Sequence, residues 1–163
     1  QMATKKQLDQ MQELGLTPSF FVSHVYYWGD RHRELFLGPE RAANISPLAS
    51  AKAIDLPFAL HLDTPVVPMQ PLHSAWVAVN RKTSSGKVLG ANERISPLQA
   101  LRALTIDAAW QLFLDDKVGS LELGKQADIV VLDKNPLTHA DTIEQINVLK
   151  TYVDGVEVFS STQ

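Results

Sequence analysis

One carboxylate stands out by its position. Asp63 closes the apolar run Leu56-Pro57-Phe58-Ala59-Leu60-His61-Leu62 and is followed at once by a proline-rich stretch. An unpaired charge at the end of a buried segment is costly, so this side chain must accept hydrogen bonds, hold a metal or sit at the mouth of a site. Read as a strand, the run places His61 on the same face as Asp63. Two readings stay open for each residue: Asp63 either does chemistry or caps amides of the following loop, and His61 either joins it or is a hydrogen-bonded structural histidine. His24 lies within Ser19-Phe20-Phe21-Val22-Ser23-His24-Val25-Tyr26-Tyr27-Trp28, where it and the aromatic rings either line a pocket or fill a core. Arg81 offers its planar fork to a substrate carboxylate or to a surface salt bridge. His73 follows on the loop after the Asp63 strand, and His32 and His139 fall in polar stretches where exposure is expected. No His-x-His or His-Glu-x-x-His occurs, so the sequence holds no self-contained metal site.

Composition limits the chemistry further. The chain has 163 residues with 45% hydrophobic and 20% charged side chains, ordinary for a folded protein with a real core. Its 15 basic and 18 acidic side chains give a formal charge of -3 without a basic block, which argues against nucleic acid as a partner. Cysteine is absent, excluding disulfides, thiolate metal sites and cysteine nucleophiles. No apolar run approaches the ~18 residues of a membrane span, so no membrane partner is expected. The start, Gln1-Met2-Ala3-Thr4-Lys5-Lys6, runs straight into a helical pattern and reads as a cut end; the cytoplasm is the favoured compartment.

The elements around these residues follow from patterning. Leu8, Met11 and Leu14 among polar residues predict an amphipathic helix over Thr4 to Leu14, with Gly15 as its C-cap. Ser19 to Trp28, β-branched and aromatic without alternation, predicts a strand covered on both faces. Pro39 to Ala53 is helical with an interruption at Pro47, and Leu56 to Asp63 is the second strand; Pro65, Pro68 and Pro71 then exclude regular structure. This is the grammar of βα units, with function at the C-terminal strand ends. Ser96-Pro97 opens a helix broken near Thr105. Beyond it, Asp128 to Asp133 predicts a buried strand and Thr151 to Phe159 a hairpin on an Asp-Gly type I′ turn. Gly119-Ser120-Leu121-Glu122-Leu123-Gly124-Lys125-Gln126 nearly spells a phosphate-binding loop, but Gln126 replaces the magnesium-binding hydroxyl and no strand precedes it. Turns, with Asp128 bonding amides of the preceding one, are the expected use.

Two stretches carry a family resemblance: Leu60-His61-Leu62-Asp63-Thr64-Pro65-Val66-Val67-Pro68, and Leu101 through Ala109 to Gly119-Ser120-Leu121-Glu122-Leu123-Gly124-Lys125-Gln126-Ala127-Asp128-Ile129-Val130-Val131-Leu132-Asp133. Together they resemble the C-terminal part of the amidohydrolase superfamily, in its amidohydrolase 3 branch (YtcJ-like, N-acyl-amino-acid deacylase-like), some members of which carry the label exoenzyme regulatory protein. The resemblance implies an α/β fold, the C-terminal part of a (β/α)8 TIM barrel (strands seven and eight) in 1–117, and strands of a small composite β-sandwich in 118–163. It implies that Asp63 is a metal ligand that takes a proton from the attacking water, with His24, Tyr26, Trp28, His61 and Arg81 around the substrate. The family's other metal ligands would fall upstream of Gln1, and the missing N-terminal part becomes the expected partner.

On that basis the complete protein is expected to hydrolyse a C–N bond of a small amide or cyclic amide with a divalent metal, zinc being the common one in the family, while the isolated chain is expected to bind no stoichiometric metal and to be inactive. A barrel of this kind takes ~250 residues. The open strand edges further suggest self-association. The competing reading is a non-catalytic binding or regulatory module that keeps the fold without the metal centre.

Overall fold

The computed structural model describes residues 1–161. Helix α1 (Lys5–Glu13) opens with a capping box, in which Thr4 and Gln7 satisfy each other's backbone amides, and buries Leu8. Gly15, at φ +67, takes the left-handed turn after it. Strand β1 (Ser19–Phe20) and strand β2 (Ala59–Leu60) pair in parallel, Ser19 opposite Ala59 and Phe20 opposite Leu60. Phe20 meets Phe58 edge to face, with ring centroids 5.6 Å apart. Between the strands run α2 (His24–Arg31), a π-helical turn (His32–Phe36), α3 (Gly38–Ala42) and α4 (Leu48–Ala53). The molecule is thus mixed α/β at this end.

The first strand is much shorter than the sequence predicts. Only Ser19 and Phe20 are extended, and from His24 the chain is helical. The composition that reads as a doubly covered strand serves a helix instead, because Val22 and Val25 point into the core while Tyr26, Tyr27 and Trp28 are only partly covered. Aromatic and β-branched residues have weak local preferences, and tertiary packing overrides them. Tyr26 and Trp28 therefore sit on a helix and not at a strand end.

After β2 comes the irregular proline-rich loop, then α5 (Pro71–Asn80), where the sequence predicts a loop around His73. Pro71 takes the first-turn position that tolerates its missing amide. Helices α6 (Pro97–Leu104) and α7 (Ile106–Gln111) follow; Ser96 and Gln99 form a second capping box, and Thr105 leaves the helical region between the two. The main core gathers Leu8, Val22, Val25, Ile45, Leu48, Leu60, Val77 and Ala100 from these elements.

A three-stranded antiparallel sheet closes the chain, with β4 (Val148–Val153) between β3 (Ile129–Leu132) and β5 (Val156–Ser160). Asp154 and Gly155, at φ +50 and +77, make the expected primed turn. Strand β3 is not buried as its apolar sequence predicts: Val130 is 54% exposed and Val131 38%. Asp128 accepts from the Asp154 amide of the hairpin turn, not from the turn before it. The glycine-punctuated stretch forms turns, with Lys125 donating to Ser120 Oγ and Ser120 Oγ to Glu122. Among the described residues no helix is long and apolar enough to cross a membrane.

Candidate active site

The site forms where β1 and β2 end side by side. Phe21 and Leu62, each just past its strand, pack with Val67 of the proline-rich loop into a small second core, and Tyr27 and Trp28 lean against it. That core anchors an otherwise irregular loop beside Asp63. The main chain at Asp63 is left-handed, φ +55, and its carbonyl accepts from Val66 N at 2.8 Å. Its carboxylate is exposed, and no hydrogen bond engages it among the described residues. The loop-capping role is thus filled by the Asp63 carbonyl, and the charged group is left toward solvent.

His61 is fixed by Ser19, whose Oγ lies 2.8 Å from Nδ1, so a β1 residue orients a β2-end ring across the strand pair. His24, at the start of α2, stacks obliquely on Trp28 at 4.6 Å and meets Phe21 edge to face at 4.7 Å; Phe21 in turn lies 5.4 Å from His61. His24 Nδ1 is also 3.1 Å from His32 Nε2 and within 3.3 Å of the Gln1 side-chain amide. His32 is therefore half-buried and partnered, contrary to the surface position its polar surroundings predict. It directly follows α2, eight residues beyond His24, and opens the π turn, which no periodicity in the sequence announces.

Of the residues singled out from sequence, His24, Trp28, His61 and Asp63 share this end of the molecule. Tyr26 turns instead toward α5, where its ring meets His73 at 4.7 Å and Trp76 at 6.0 Å. Arg81 is neither in the pocket nor on the surface. It is fully buried, and its guanidinium donates to the carbonyls of Leu89, Ser46 and Ile45 at 3.0, 3.1 and 2.7 Å. Both sequence readings of this residue assumed an exposed fork, whereas the fork is consumed by main-chain acceptors.

Electrostatics keep the rings neutral. Burial, reinforced by His32, lowers His24 from the ordinary 6.5 to about 4, with the Asp63 charge opposing. Burial lowers His61 and His32 as well, Asp63 again opposing at His61. A histidine lowered on folding binds its proton more readily when unfolded, so its stabilising contribution is present above 6.5 and is lost as pH falls toward the folded value. Stability should therefore decline between pH 6.5 and about 4, read as a falling urea midpoint, with the His24 ring proton titrating near 4 by NMR. A midpoint flat across that interval would contradict the burial of these rings.

Among the described residues no three His, Cys, Asp or Glu side chains converge to hold a metal ion. Asp63, exposed and unbonded, fits the part of one ligand, but the described residues supply no complete set.

The whole-chain comparison decides the family, since the amidohydrolase family model matches residues 1–159. The chain belongs to the amidohydrolase family. It is 29% identical over 162 residues to an N-substituted formamide deformylase of Arthrobacter pascens, covering 99% of this chain and 30% of that protein. It is 39% identical over 130 residues to the Arabidopsis thaliana protein LONG AFTER FAR-RED 3, covering 76% of this chain and 21% of that one. A solved metal-dependent hydrolase from Pyrococcus furiosus superposes with a TM-score of 0.68 at 26% identity, covering 83% of this chain and 27% of that chain. The amidohydrolase chain described here thus spans less than a third of the length of each of these relatives.

Proposed function

We propose that this chain is the Asp63-bearing part of a longer metal-dependent amidohydrolase that cleaves a C–N bond of an amide or cyclic amide with water. One observation carries the reading: an exposed, unbonded carboxylate stands on a left-handed residue just beyond the C-terminal end of a parallel strand, the place where (β/α)8 enzymes keep their chemistry. Family membership and the deformylase name of one relative support the bond type. The metal-dependent relative supports the metal, which we propose is zinc. In this reading β1 and β2 are the last two barrel strands within 1–117, and β3 to β5 belong to a small sandwich completed from outside 118–163.

Asp63 would hold the metal together with ligands outside this chain; bound there, the metal would polarise the carbonyl and lower the pKa of water. The chain's own residues have separate tasks. Asp63 accepts the water proton and returns it to the leaving nitrogen, a transfer its exposed carboxylate can make. Ser19 holds the His61 ring against rotation beside it. His24 and Trp28 present an uncharged wall that displaces water from the substrate.

The complete protein, assayed on N-formyl amines and cyclic amides, should lose turnover on dialysis against a chelator and regain it with zinc. Turnover that survives metal removal, or none on any amide from a metal-replete protein, would refute the proposal.

A further inference from the structure

Gly29 stands inside α2, next to Trp28, where glycine costs about 0.5–1 kcal/mol of helix stability relative to alanine. The reason for it is spatial. The residue is buried, and a Cβ there would lie 2.8 Å from the Thr83 Cγ2 methyl and 3.1 Å from Leu89 Cδ2. Thr83 and Leu89 are each only 2% exposed, so neither can swing into solvent to make room.

Both neighbours belong to a short antiparallel turn after α5. Lys82 pairs with Val88 across it, Thr83 N donates to the Lys87 carbonyl at 2.8 Å, and Gly86 N donates to the Thr83 carbonyl at 2.9 Å. Leu89 is tied at the base, its amide on the Arg81 carbonyl and its own carbonyl on the Arg81 guanidinium. The turn holds α2 at two further points. Ser84 N donates to the Tyr26 carbonyl at 3.0 Å. The Asp30 carboxyl, which burial would raise, is held below its ordinary value by the Ser85 and Thr83 hydroxyls and by Lys87.

Residues four apart on a helix share a face, so His24 and Trp28 form one stripe of α2 and Val25 and Gly29 the next. The depth to which the Gly29 stripe sinks onto the turn therefore sets where the His24 and Trp28 rings stand beside Phe21. Asp63 lies beyond β2 and does not share this support.

We infer that Gly29 and Thr83 are positioning residues, whose contact without an intervening methyl seats α2 at the depth that places His24 and Trp28 for substrate binding. The inference rests on the hydrolase reading for the word substrate, and the placement of the rings is read separately from turnover.

In the complete protein, Gly29→Ala should raise KM for a hydrolysed amide roughly two- to tenfold, the worth of one displaced aromatic contact, with kcat within about twofold. Thr83→Ser deletes the methyl that the new Cβ would strike and keeps the hydroxyl, so the double variant should return KM to its original value. The rings are followed by the Cε1 resonance of His24 in protein labelled with 13C-histidine, identified by its loss in His24→Gln. That signal should move in Gly29→Ala and return in the double variant. Ser84→Pro keeps the test open if Gly29→Ala does not fold: the residue is exposed, sits where a β-turn favours proline, and loses only the amide that donates to Tyr26. It should move the His24 signal and raise KM at least about twofold.

An unmoved signal with unchanged KM, or changes that Thr83→Ser does not reverse, would overturn the positioning role. A lower unfolding midpoint as the sole effect would mark the contact as structural and overturn it too. A His24 signal that moves and returns as stated, in a complete protein that hydrolyses no amide, would count against the hydrolase reading alone.

Discussion

Asp63→Asn in the complete protein should abolish amide hydrolysis, lowering turnover by about 10²–10⁴-fold, the range a positioned proton-transfer group contributes. The amide has nearly the shape of the carboxylate but cannot accept the water proton at neutral pH. The fold should be untouched, because the carboxylate is exposed and its carbonyl, which the substitution keeps, makes the turn contact to Val66. Asparagine also tolerates the left-handed backbone at this position. The measurement pairs turnover with thermal unfolding: an unchanged midpoint with lost activity is expected, and undiminished turnover would remove Asp63 from the chemistry. Metal content belongs in the same experiment, since a lost ligand lowers occupancy whereas a lost base alone does not.

The second large effect concerns stability. Arg81→Met should destabilise the protein by about 3 kcal/mol or more, because each buried carbonyl left without its donor costs about 1–3 kcal/mol. Three carbonyls, of Ile45, Ser46 and Leu89, would be left without their donors in a site closed to water. The same residue ends α5 in a left-handed conformation, φ +56, with its amide on the Val77 carbonyl. Arg81 therefore ties the α3–α4 junction to the turn after α5. Gly90 completes the arrangement, because at φ +69 any Cβ there would strike the Ala43 carbonyl and crowd the Arg81 guanidinium. Burial lowers Arg81 to about 10, Glu93 opposing, so it stays charged at neutral pH and the carbonyls keep a cationic donor. Chemical denaturation should show the loss as a lower midpoint; a change below about 1 kcal/mol would mean the carbonyls find other donors.

Both results turn on how far local sequence reaches. The helix starts at Thr4 and Ser96, the break at Thr105, the proline-rich loop and the Asp154-Gly155 hairpin were legible, because caps, prolines and primed turns act within a few residues. The placement of Asp63 past a parallel strand was legible for the same reason, as an apolar run ending in a charge before prolines. The family too could be read from Leu60–Pro68 together with the Gly119–Asp133 stretch, and its model spans 1–159.

What tertiary structure alone decided lies where side chains from distant segments meet. Ser19 to Trp28 has strand composition, yet it becomes a strand of two residues followed by a helix, because the core accepts Val22 from the turn and Val25 from the helix. His32 looked like a surface residue, yet its ring lies 3.1 Å from His24, and Arg81 looked exposed until three carbonyls from two other loops claimed it. Residue type sets what a group can do and local spacing sets its element. Which groups share a site depends on contacts across tens of residues, and those carry no signature in any short stretch of chain.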